Sequence, residues 1–163
     1  MIRLSCKKPA KVQRFNDKVT VVTIEGDVGI KAIVDVPLEI VQWFENHPKV
    51  CARYLYKDIK FTVQGKAVRS DRDTDDPKLG EMIAEAKAKI TLYHFLYTLS
   101  CKLFNHYCSI AFGAAPMQCG DEGYDDNLDK EMLHHGGFDG ARQWYYNLWQ
   151  HEVQHLNKLL DNV

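Results

Sequence analysis

The sequence predicts an α+β fold, an antiparallel sheet of four to five strands with helices packed on one face. Two observations predict it. Period-two alternation of β-branched and aromatic residues dominates residues 1–68, and three- and four-residue apolar spacing dominates residues 77–163. A chain of 163 residues is the usual size of one domain and buries enough surface to need no disulfide or metal. The expectation is therefore a single domain, strand-rich over 1–68 and helical over 77–163.

The elements follow in order. Lys11 to Phe15, before an Asn16-Asp17 turn, fits an edge strand. Val19 to Ile24 alternates, Gly26-Asp27 offers a turn, and Ile30 to Val36 is again β-rich, so residues 18–36 read as a hairpin. Pro37 suits the start of a short helix carrying Leu38, Ile40, Val41 and Phe44, which Asn46-His47-Pro48 stops near Glu45. Alternation returns from Val50 to Val68, with a turn at Lys57-Asp58 and a bulge or strand end at Gly65. A long helix is predicted from Leu79 to about Phe112, started by Asp75-Asp76-Pro77, with Met82, Ile83, Ala86, Ile90, Tyr93, Tyr97, Cys101, Phe104 and Cys108 as its apolar stripe. Residues 113–123 read as a loop, 125–135 as a short acidic helix, and Gly140 to Leu160 as the last helix.

Composition narrows the setting. No apolar run is long enough to span a membrane, and the N-terminus lacks the apolar core of a secretory signal, so the expectation is a cytoplasmic protein. Cys6, Cys51, Cys101, Cys108 and Cys119 are odd in number and form no CxxC pair, which fits free, mostly buried thiols. The net charge of −1 is unevenly divided: residues 1–18 carry six bases against one acid, and residues 119–163 nine acids against three bases. Lys7, Lys8, Lys11 and Arg14 therefore form the candidate nucleic-acid contacts.

Three segments could carry further function. His151-Glu152-Val153-Gln154-His155 is an HExxH on a helix, where residues four apart bring both imidazoles to one zinc ion and the glutamate can act as general base. Only eight residues follow His155, so a third ligand has to come from upstream; His134 and His135, beside Gly136-Gly137, are the preferred donors over Asp125, Asp126 and Asp129. Without a third ligand the segment is simply the polar face of a terminal helix. The run from Asp71 to Asp76 resembles the start of a calcium loop, yet Asp76 stands where glycine is needed and Met82 where the closing glutamate belongs, so a helix cap is preferred. The aromatics Tyr93, Phe95, Tyr97, Phe104 and Tyr107 and then Trp144, Tyr145, Tyr146 and Trp149 fit packing between the two long helices. The arc of 144–146 is too wide to be wholly buried.

Gly65, Ala67, Asp73, Asp76, Gly80, Ala84 and Ala88 form a G-x-A, D-x-x-D, G, A-x-x-x-A pattern that resembles a segment of small phage-encoded proteins of uncharacterised function. It spans about 25 residues of the chain. The resemblance implies a phage or prophage origin, with action in the host cytoplasm, and transfers no catalytic role.

The function expected from these readings is that of a non-enzymatic binding protein with a protein partner, one acting on a host or defence component if phage-encoded. It needs no cofactor and can form a homodimer through the long helices. The alternatives are a nucleic-acid-binding protein using the basic N-terminal strands and a zinc-dependent hydrolase using Glu152. Absence of P-loop and G-x-S-x-G motifs removes support for P-loop nucleotide hydrolysis and serine-hydrolase chemistry.

Overall fold

A computed structural model describes residues 2–6, 10–15, 18–30, 36–55, 58–70, 76–112 and 137–161. The elements are β1 (Ile2–Cys6), β2 (Lys11–Phe15), β3 (Val19–Ile30), α1 (Leu38–Glu45), β4 (Val50–Leu55), β5 (Asp58–Val68), α2 (Pro77–Phe112) and α3 (Phe138–Leu160). The class is the expected α+β, an open antiparallel sheet with one short, one long and one C-terminal helix against it.

The sheet is four strands wide. β3 pairs with β5 along one edge, β5 with β4, and β1 and β2 share the other edge of β3. β1 covers Gly26 to Ile30 and β2 covers Val19 to Thr23, with a register shift of two residues between them.

β3 corrects the expected hairpin over 18–36. It runs unbroken through Gly26-Asp27, because β5 pairs with it from Val19↔Val68 to Gly29↔Asp58 while β1 pairs on its other side. Backbone groups satisfied on both edges outweigh a local turn preference. The hairpin partner of β3 is β2, where the Lys18 N–H donates to the Phe15 carbonyl at 3.3 Å. Residues 31–35 of the second expected run lie outside the described residues, as do 113–136 with their expected loop and acidic helix. The β1 strand has no counterpart in the sequence reading.

Two smaller corrections concern β5. Asp58 pairs with Leu55 inside the ladder, so it belongs to the strand and not to the expected Lys57-Asp58 turn. Gly65 is neither bulge nor end, since the ladder is regular to Val68.

One face of the sheet is covered. Ile59, Phe61, Val63 and Ala67 of β5 are buried and alternate with exposed Lys60, Gln64 and Lys66. From β3, Val22, Ile24 and Val28 enter the same core, and Val50 and Ala52 enter it from β4. α1 packs on β4, with Phe44 fully buried, and the Tyr54 N–H donates to Glu45 Oε1 at 3.1 Å. Pro37 stands at the N-cap of α1 as expected, and the Nδ1 of His47 accepts the N–H groups of Lys49 and Val50 where the chain turns into β4.

At 36 residues, α2 is about 54 Å long. It crosses β5 and β3 near its start, and α3 lies antiparallel along it. Ala84, Ala88, Leu92, Phe95, Leu96, Leu99 and Leu103 are essentially inaccessible to solvent, whereas Met82 from the expected stripe is exposed. A helix buried on two sides is apolar nearly all round, so a single stripe under-describes it. No described helix is long and apolar enough to cross a membrane.

Candidate functional site

The segment from Gly65 to Ala88 is a packing device over its described residues. A Cβ on Gly65 would stand 1.9 Å from the Ala84 carbonyl oxygen and 2.5 Å from the Ala88 nitrogen, so α2 rests its backbone directly on β5 at this point. Ala84 and Ala88, both fully buried, keep the helix side of that contact small. A Cβ on Gly80 would stand 3.3 Å from the Oγ1 of Thr20. Asp76 caps α2, its Oδ1 accepting the N–H groups of Lys78 and Leu79 at 2.9 and 3.1 Å, as the helix-cap reading expects. Asp73, with the rest of 71–75, lies outside the described residues.

α3 meets α2 through a heptad seam of Phe138, Ala141, Tyr145, Leu148, Glu152, His155 and Leu159, all buried or half-buried. The HExxH residues therefore differ in burial. His151 is exposed beside the seam, while His155 and Glu152 lie in it. The Oε2 of Glu152 is buried and has no hydrogen-bond partner among the described residues. Its charge reaches Lys89 of α2, which is ion-paired to Glu85 at 2.8 Å. Burial pulls the Lys89 pKa down, but the hydrogen bond and charge of Glu85, with the charges of Glu152 and Tyr93, outweigh it and raise it. No group of three metal-capable side chains occurs among the described residues. His134 and His135, the preferred upstream donors, lie outside them.

Beside the seam runs an aromatic cluster. Trp149 takes His94 edge-on at 4.8 Å and stacks with Tyr97 at 6.2 Å, and Tyr97 lies 5.5 Å from Tyr146. A hydrogen bond shared with Cys101 raises the Tyr97 pKa. Next to it on α1, Trp43 stacks on Phe95 at 5.4 Å beneath the Lys102 ammonium, and His47 meets both rings edge-on. Burial, the charge of His94 and the charge of Lys49 lower the His47 pKa. Of the expected triple, Tyr145 is buried at 4%, while Trp144 is 63% exposed and Tyr146 is 39% exposed. The outward strip of α3 is uncharged amide: Gln143, Asn147, Gln150, Gln154 and Asn157.

The basic N-terminal set is divided. Lys7 and Lys8 lie outside the described residues, and Lys11 and Arg14, three apart on one strand, take opposite faces. Arg14 points to the helix side and pairs with Glu81 of α2. Lys11 instead shares the uncovered face with Lys66, which the sequence reading did not single out. Alternation with buried Gly65 and Ala67 places Lys66 on that face, but only the strand order sets it near Lys11. Cys51 occupies an exposed position there too, since it alternates with buried Val50 and Ala52, while Cys101 is half-buried.

No protein-family model, curated protein or solved structure matches the chain.

Proposed function

We propose that the chain is a non-catalytic binding protein that docks a protein partner through the outer aromatic surface of the α2–α3 hairpin. The exposure of Trp144, at 63%, carries the reading. An indole left in water on a helix whose seam already buries Tyr145 adds nothing to the core, and tryptophan and tyrosine are the residues that most often anchor interfaces. Tyr146, Trp149 and Tyr97 extend the aromatic surface on the other flank of α3. The amide strip between Trp144 and Tyr146 offers hydrogen bonds without the cost of burying charge.

The test places a photoreactive residue at Asn147, exposed on the strip between the two aromatics, in the cells that encode the protein and then reconstitutes the captured partner from purified components. The Trp144→Ala, Tyr146→Ala double variant is expected to weaken that purified complex at least about thirtyfold, the loss of one anchor. Unchanged affinity of the double variant overturns the reading.

A further inference from the structure

Among the described residues no element covers the other face of the sheet, which is a second surface opposite the helices. Directly paired strand residues put their side chains on the same face, so the ladder fixes what stands beside what. At the end nearest the β2–β3 turn, the first row is Phe15, Val19 and Val68. The second is Gln13, Val21 and Lys66, and the third is Lys11, Thr23 and Gln64. Successive rows on one face are about 7 Å apart along the strands.

Three features of these rows point to one ligand chemistry. Phe15 is 51% exposed and Val68 62% exposed, so the first row presents an aromatic ring and an aliphatic neighbour to water. The two charges in the three rows are both cations, Lys11 and Lys66, and both are exposed. The acids of the same face, Glu25, Asp27 and Asp58, all stand in the rows beyond, where Arg53 and Lys60 accompany them. Gln64 is exposed, and its Nε2 donates to Thr23 Oγ1 at 3.3 Å. A ring for stacking, two cations on neighbouring rows for phosphates and side-chain amides for base edges are the parts of a single-strand platform. A duplex hides its base faces and could use the cations but not the ring.

We propose that this end of the open face binds single-stranded nucleic acid, with one base stacked on Phe15 and the backbone held by Lys11 and Lys66. The site is independent of the helical hairpin and differs from the N-terminal basic set. It replaces Arg14, committed to Glu81 on the covered side, with Lys66 from β5.

Fluorescence anisotropy of the full chain with a labelled oligothymidylate of about twelve nucleotides tests it. Binding is expected at low salt and should weaken with salt at a log–log slope of about −1.4, two phosphate contacts on a single strand. Phe15→Ala should weaken it about ten- to hundredfold, and Lys11→Gln with Lys66→Gln should flatten the salt slope. Arg14→Gln and Trp144→Ala should leave it unchanged, which separates this site from the hairpin surface. Circular dichroism confirms that each variant is folded, since all the changes are at exposed positions. No binding at about 100 µM protein in low salt overturns the proposal. So does full affinity in Phe15→Ala, equal affinity for the matching duplex, or equal affinity for polyglutamate, which would make the face a general polyanion site.

Discussion

The two sides of α2 are packed by opposite means. Toward the sheet, Gly65 lets the backbone of β5 approach the backbone of Ala84 and Ala88, with no side chain between them. Toward α3, the seam is built from large side chains, with Tyr97 on Tyr146, Phe104 under Arg142 at 4.7 Å and Tyr107 stacked on Phe138 at 5.2 Å. The first seam has no room to adjust, because its closest atoms are backbone. The second can repack by rotamer changes, and it tolerates a carboxylate, Glu152, in a heptad position. The rigid seam sets where the long helix lies. The adaptable seam is the one that borders exposed aromatics.

The largest expected effect breaks the rigid seam. Gly65→Ala should cost about 3 kcal/mol in urea unfolding with little change in m-value, since its methyl would overlap a carbonyl oxygen that cannot rotate away. A loss under about 1 kcal/mol would mean that α2 can lift off β5 and that the two seams are alike.

A smaller effect tests whether the start of α2 is fixed locally. Asp76→Ala removes the acceptor for two N–H groups and should cost about 1 kcal/mol, while Asp76→Asn should retain most of the stability. Equal losses for the two variants would assign the role of Asp76 to its charge rather than to its capping oxygen.

The smallest sharpens the view of the adaptable seam. Glu152→Leu should be neutral or stabilising by about 0.5 kcal/mol, because an unbonded carboxylate oxygen gives way to an apolar side chain at a heptad position while Lys89 keeps Glu85. A clear fall in melting temperature would show that the attraction between Glu152 and Lys89 outweighs the desolvation of the carboxylate.

Much of the architecture is decided locally, which is why residues announce it. Alternation over Val50 to Val68, the Pro37 start of α1 and the Asp76-Pro77 start of α2 depend on neighbours within a few positions. The small-residue pattern from Gly65 to Ala88 was also legible, although its meaning, a close backbone approach between strand and helix, was not. Gly26-Asp27 misled because a turn preference is weak against pairing on both edges of β3. The candidate surfaces were less legible still. Lys66 and Lys11 are 55 positions apart and reach the same end of one sheet face, on either side of β3, only through the strand order. Spacing within α3 could group Trp144, Tyr145 and Tyr146, but which one the core takes depends on where α2 lies. The sequence by itself determined the fold class and the starts of α1 and α2, because these rest on short-range hydrogen bonding and side-chain period. Tertiary structure alone decided which face of the sheet stays open and which charges meet there, because burial is a property of the whole packed chain.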